Sequence, residues 1–209
     1  MLRDDATEHL GQSDVIVEAT GHFTTSRKAV TEFFTRSTRA LSAAARASGA
    51  RHLLLSIVNC ELPEVQGYGY FAGKTAQERV AREVSDNLTI IRSTQWFEFA
   101  GQNLDRMKLG PISLVPQMTI KPVALDAVAN VIADFATGSR TGTFYELAGP
   151  EVTTLWDMTK QLPGKRLVPL PMAIPGRMGR AFRKGALVPG RDAEVIGPSF
   201  SEWLNANAD

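Results

Sequence analysis

The stretch GYGYFAGK, residues 67–74, sets Tyr70 four positions before Lys74, where a glycine-rich loop gives way to a helical pattern. Four residues apart on a helix is one face, so the ammonium would lie near the phenol. A cation there favours phenolate and draws a tyrosine down from its ordinary pKa of about 10. Such a tyrosine exchanges a proton with a substrate oxygen near neutral pH. Ser56, near the end of the preceding apolar run, would hydrogen-bond the same oxygen. Proton donor, tuning cation and polarising hydroxyl make a carbonyl-reduction set. The same residues also read as plain structure: Glu78, one turn beyond Lys74, would complete a solvated ion pair, and Tyr70 would be an aromatic packed at a helix start. The position directly after a strand ending in Ser56 favours the chemical reading.

The elements that must hold this set alternate. DVIVEAT (14–20) reads as a buried strand closed by Gly21. A helical period follows, with Ser26 as N-cap and Gly49 as stop. RHLLLSIV (51–58) is continuously apolar, as expected of a strand covered on both faces. A second helix runs from Tyr70 through Ala76, Val80, Ala81 and Val84, and NLTIIRST (87–94) is a third buried strand. The order β-α-β-α-β predicts a parallel sheet in a doubly wound α/β fold. Ligands in such sheets sit beyond the carboxyl ends of the strands, here 19–21, 56–57 and 92–94. Further on, QWFEFAGQNLDRMKLG suggests a helix, ALDAVANVIADFATG an amphipathic helix ending at Gly138, GTFYELAG (142–149) a strand, and SFSEWLNANA a terminal helix or turn anchored by Phe200 and Trp203. From Pro163 to Arg191 the chain holds Lys165, Arg166, Arg177, Arg180, Arg183, Lys184 and Arg191 with no acidic residue, amid five prolines. This predicts an irregular, partly helical cap. The division expected is a core over 1–150 and a dependent C-terminal cap over 151–209.

Bulk properties exclude several classes. The 209 residues carry a formal net charge of +1, which gives no global argument for nucleic acid or membrane. The single cysteine, Cys60, leaves no intramolecular disulfide and fits a reducing compartment. No apolar run approaches spanning length, and the charged start MLRDDATEHLGQ lacks a secretory h-region. The expectation is a soluble cytoplasmic protein. His9, His22 and His52 lack partners at ligand spacing, so they read as surface or strand-edge histidines and no metal is expected.

Taken together, HLLLSIV, YFAGKTAQE, LTIIRSTQWFEF and KPVALDAVANVIADFA follow one another as in the NmrA-like group of atypical short-chain dehydrogenase/reductases, and GTFYELAGPE and LVPGRDAEVIGPSFSEWL are similar to the C-terminal parts of its members. The resemblance covers nearly the whole chain. It implies a Rossmann-like domain with NAD or NADP as cofactor, NADP slightly favoured, and hydride transfer to a carbonyl or quinone-type small molecule. By it, Tyr70, Lys74 and Ser56 are catalytic, with Lys74 also reaching the nicotinamide ribose. Thr20 and Gly21 pass under the cofactor, Ser93 and Thr94 stand beside nicotinamide, and Trp96, Phe97 and Phe99 line the substrate side. The group also contains dinucleotide-sensing regulators without turnover, so a non-catalytic binding or interaction module is the alternative. Members open with a strand, a G-x-x-G-x-x-G loop and a helix that hold the pyrophosphate, and no such loop follows a strand here. By the family layout Met1 falls after the first two strands, making the chain an N-terminally truncated version whose adenine half-site is missing. The 14–20 strand then becomes a sheet edge, to be covered by a second copy or an upstream segment.

Overall fold

The computed structural model describes residues 6–22, 24, 26–164 and 166–207; Lys165 of the basic segment and the Met1 start fall outside them. In chain order the elements are α1 (Ala6–Leu10), β1 (Val15–Glu18), α2 (Arg27–Ser48), β2 (Arg51–Ile57), α3 (Gly69–Val84), β3 (Leu88–Ser93), α4 (Phe99–Arg106), β4 (Lys108–Leu109), β5 (Ile112–Pro116) and β6 (Thr119–Ile120). They continue with α5 (Leu125–Thr137), β7 (Phe144–Ala148), β8 (Thr153–Thr154), α6 (Leu155–Gln161), β9 (Val168–Met172), α7 (Gly176–Arg183), β10 (Glu194–Val195) and α8 (Phe200–Ala206). The main sheet has the order β1-β2-β3-β7-β10, with β1 parallel to β2 and β10 parallel to β7. This is the α/β, Rossmann-like architecture expected.

The chain forms two compact units, each assembled from two stretches: 1–92 with 130–145, and 93–129 with 146–209. The sequence reading drew a single line at residue 150.

In the first unit, α2 begins where the Ser26 hydroxyl accepts the Ala29 N–H and ends where Gly49, at φ 71°, returns its N–H to Ala45 and Arg46. A left-handed C-cap suits glycine because no Cβ opposes it. The continuous apolar run of β2 is buried from His52 to Ser56. β1 differs from the buried strand expected: its burial alternates, with Ile16 and Glu18 inside and Val17 42% exposed. It is the end strand of the sheet order, paired with β2 through Ile16↔His52 and Glu18↔Leu54.

The glycines of the Tyr70 segment are not all loop residues. Gly69 and Gly73 lie in α3, and each lets that helix approach α2: a Cβ on Gly69 would stand 3.1 Å from the Arg27 Cα, and one on Gly73 2.9 Å from Phe34 Cδ2. Residues four apart on one helix face, both lacking a side chain, bring α3 directly against α2, Gly69 at the Arg27 backbone and Gly73 at the Phe34 ring.

The second unit holds two smaller sheets. β4-β5-β9 combines an antiparallel and a parallel pairing, and β6 pairs antiparallel with β8. The segment expected to be irregular thus contributes the regular edge strand β9. Its Pro169 and Pro171 are tolerated because an edge strand needs to donate N–H groups on one side only. α6, capped by Thr154, was not anticipated. α8 is the terminal helix expected, opened by a capping box of Ser199 and Glu202, with Phe97, Phe200 and Trp203 packed together at ring separations of 5.2–5.8 Å.

Candidate active site

Tyr70 and Lys74 occupy the first two turns of α3, as the spacing required. Their surroundings differ from the solvated alternative. Lys74 is 3% exposed. Its Nζ donates to the Leu55 carbonyl at 3.0 Å and to Gln77 Oε1 at 2.9 Å, and lies 4.4 Å from the centroid of the Phe34 ring. Tyr70 meets the same ring edge-on, centroids 5.9 Å apart. Ammonium and phenol ring therefore share Phe34 as a common wall. Burial pushes the Lys74 ammonium down to about 8, against the opposing pull of Glu18, Cys60 and Glu78.

Glu78 is not the solvated partner of Lys74 that the spacing allowed. It is buried, and it accepts from Arg92 Nε at 2.8 Å and from Arg92 Nη2 at 2.9 Å, with Arg82 3.3 Å away. Burial alone would raise its pKa. The Arg92 hydrogen bond, the nearby Ser56 hydroxyl and the charges of Arg92 and Arg82 outweigh burial and hold the carboxyl below its ordinary value. For Arg92 burial opposes the charge, but the bond to Glu78 wins and keeps the guanidinium firmly protonated. Ser56 is 4% exposed, and its Oγ meets no partner at hydrogen-bond geometry among the described residues. Its influence on Glu78 is that of a nearby dipole, so the hydroxyl keeps its capacity to bind.

Thr20 donates to Glu18 Oε1 at a long 3.5 Å, and Gly21 is exposed, with no atom of the described residues within 4 Å of where a Cβ would stand. These four positions, Ser56, Tyr70, Lys74 and Thr20, with Gly21, all belong to the first unit.

The remaining expected residues belong to the second unit. Ser93 accepts the Trp96 indole N–H at 3.1 Å, which leaves that hydroxyl engaged. Thr94 Oγ1 and Gln95 Oε1, on adjacent residues, are buried without a hydrogen-bond partner among the described residues. Phe97 is 1% exposed and packs on Phe200 and Trp203, while Phe99 opens α4, half-buried. A cavity of about 70 Å³ borders Phe97, Pro122, Glu151, Thr153 and Phe200.

Two residues next to the site, Glu18 and Gln77, had not been singled out, and two carry roles other than those expected: His52, expected at the surface or a strand edge, and Arg92, expected only as part of a strand end. His52 corrects the reading of scattered surface histidines, being 1% exposed with Nε2 donating to Glu18 Oε2 at 3.1 Å. The available signals were modest: an acid closing an apolar strand in VIVE, a basic residue inside LTIIRS, and a glutamine three residues after Lys74. Among the described residues, no helix is long and apolar enough to cross a membrane.

No protein-family model matches the chain, and no curated protein sequence does. Solved structures do match its fold. Bacillus anthracis dTDP-4-dehydrorhamnose reductase in complex with NADP superimposes at a TM-score of 0.65 with 15% identity, covering 98% of this chain and 84% of that one. Citrobacter sp. triphenylmethane reductase complexed with NADP(H) gives 0.64 and 14%, covering 98% and 82%. The Bordetella bronchiseptica enzyme WbmH in complex with NAD+ gives 0.61 and 12%, covering 97% and 73%. At these identities the likeness is one of fold.

Proposed function

We propose that this protein is an NAD(P)-dependent oxidoreductase of the short-chain dehydrogenase/reductase type, acting on a carbonyl or quinone-type small molecule. The observation that carries the reading is the pairing at the start of α3: Tyr70 and Lys74 one turn apart, both against Phe34, with Lys74 buried. The fold shared with NADP-bound reductases supports it. Within the first unit, Ser56 Oγ is a buried polar atom with no hydrogen-bond partner among the described residues, which suits a hydroxyl that would meet a substrate or nicotinamide oxygen. For the pyrophosphate half of a dinucleotide the 209 residues offer no G-x-x-G-x-x-G loop after a strand.

A nicotinamide, when bound, would supply the hydride. Tyr70 gives its phenolic proton to the substrate oxygen, the Lys74 charge favours the resulting phenolate, and Ser56 orients that oxygen by a hydrogen bond.

A second reading, a dinucleotide-sensing or interaction module without turnover, is favoured by one observation. Two of the three N–H groups of Lys74 are already satisfied inside the protein, by Leu55 and Gln77, and the residue is 3% exposed, so a ribose would find one remaining donor in a buried position.

Titration of NADPH and NADH by nicotinamide fluorescence, followed by turnover assays on carbonyl and quinone panels, separates the readings. Saturable binding with turnover that Tyr70→Phe abolishes, binding retained, supports the oxidoreductase. Binding without turnover supports a dinucleotide-sensing module, and absence of binding removes the oxidoreductase and sensing readings and leaves the interaction module.

A further inference from the structure

A continuous chain of buried hydrogen bonds leads away from Lys74 through the first unit. Lys74 Nζ donates to Gln77 Oε1 at 2.9 Å, and Gln77 Nε2 donates to Glu18 Oε1 at 2.9 Å. The two Glu18 oxygens also accept from Thr38 at 2.9 and 3.0 Å, and Oε2 from His52 Nε2 at 3.1 Å. His52 Nδ1 meets the hydroxyls of Ser85 at 2.9 Å and Ser42 at 3.3 Å. Glu18 and Gln77 have no exposed surface at all.

The chemistry of this chain allows Gln77 one orientation. Its amide stands between an ammonium and a carboxylate. Turning it over would press NH₂ against NH₃⁺ and a carbonyl oxygen against a carboxylate. Gln77 therefore joins two buried opposite charges that do not touch. An isolated buried ammonium tends to shed its proton, and Glu18 is the buried carboxylate at the far end of this connection. Burial works to raise the Glu18 pKa, yet His52, Thr38 and Ser37 together outweigh it, so Glu18 stays ionised.

We propose that Glu18 and Gln77 are the positioning residues of Lys74: Gln77 passes the field of the Glu18 carboxylate to the ammonium, fixing its direction and keeping it charged against the Phe34 ring that Tyr70 shares. The catalytic meaning of this arrangement rests on the oxidoreductase reading; the arrangement itself does not. The groups bearing on Lys74 are Glu18 from β1, the Leu55 carbonyl from β2 with His52 behind Glu18, Gln77 and Glu78 from α3, and Cys60 from the segment after β2. α2 supplies Phe34, with Thr38 and Ser37 bearing on Glu18.

The test follows the Lys74 Cε resonance in the full chain, labelled with ¹³C-lysine and free of dinucleotide, from about pH 6 to about pH 11; Lys74→Met identifies the signal. The parent is expected to titrate near 8. Glu18→Gln withdraws the distant carboxylate and should lower the midpoint by about one pH unit, whereas Gln77→Glu places a carboxylate on Nζ and should raise it by a similar amount. Opposite displacements support the proposal, because a merely structural loosening would move both variants the same way, toward the surface lysines. Unchanged midpoints, displacements of one sign, or a parent Lys74 titrating with the surface lysines at about 10.4 overturn it. If Glu18→Gln does not fold, Gln77→Met, which removes the relay and leaves Glu18 in place, takes its part: its midpoint should fall below the parent's, and a rise toward the surface lysines overturns the proposal. Where turnover is found, the alkaline limb of its pH profile should move with the resonance in each variant. A protein without turnover would end the oxidoreductase reading and leave the lysine titration standing as the test of positioning.

Discussion

Gln77 and Glu78 are neighbours on α3 and serve two buried cations in opposite ways. Glu78 grips Arg92 directly through two bonds, and both groups are driven toward their charged forms. Gln77 stands between Lys74 and its carboxylate, and the ammonium is left easily discharged, pushed down to about 8. Direct bidentate contact makes a permanent charge suited to holding β3 against α3. A relayed contact makes an adjustable one suited to chemistry. Cys60, whose thiol contacts Glu78 Oε1 at 3.5 Å, belongs with the permanent side: burial, with Glu78 adding, pushes its pKa up to about 12.

Breaking the direct pair should have the largest effect. Arg92→Met leaves the Glu78 carboxylate buried beside the half-exposed Arg82 and is expected to cost about 3–5 kcal/mol in urea unfolding at neutral pH. Because the folded pKa of Glu78 is depressed, its stabilising contribution is present above the ordinary carboxylate pKa and is lost as pH falls through the folded value. Arg92→Met should therefore also raise the pH at which acid unfolds the protein.

Next in size is the wall the adjustable side depends on. Gly73→Ala brings a Cβ within 2.9 Å of Phe34 and should cost about 1–3 kcal/mol in the same assay, with Tyr70 and Lys74 both disturbed.

The adjustable charge has its own signature in alkaline solution. Between the folded value of about 8 and the ordinary 10.5, the unfolded chain holds a proton that folded Lys74 has released, so stability rises with pH. Cys60 works against this from its ordinary 9 upward, since the buried thiol keeps its proton to about 12. The parent should therefore gain on the order of 1 kcal/mol between about pH 8 and pH 9. Lys74→Met should abolish the gain, and Cys60→Ala should extend it toward the ordinary lysine pKa.

The smallest effect is expected at the exposed counterpart of the direct pair. Arg46 and Asp86 meet at 3.0 Å with side chains 59% and 72% exposed, and Asp86→Asn should change stability by about 1 kcal/mol or less. A larger loss there would mean that solvent exposure is not what separates permanent from negligible pairs in this chain.

What was readable in the sequence was local. Ser26 and Gly49 cap α2 through hydrogen bonds no more than four residues long, and the unbroken run of β2 announces a strand covered on both faces. The prolines of 163–191 were misleading for the opposite reason: Pro169 and Pro171 are compatible with a strand only because β9 lies at the edge of its sheet, and edge position is a property of the pairing with β5. Glu18 was passed over and His52 misplaced because the partners of Glu18, His52 and Gln77, lie 34 and 59 residues from it along the chain.

By itself the sequence determined the alternation of strands and helices, and with it the placing of Tyr70 and Lys74 on one face of the helix that follows Ser56. Those properties depend on periodicity and capping within a few residues. Only the tertiary structure decided which carboxylate answers to Lys74. Spacing along α3 pointed to Glu78, but burial sends the ammonium inward to Gln77 and Glu18, where β1, β2 and α2 converge, and gives Glu78 to Arg92. A buried cation takes its partner from whichever elements meet around it, and that meeting is set by the packing of the whole unit.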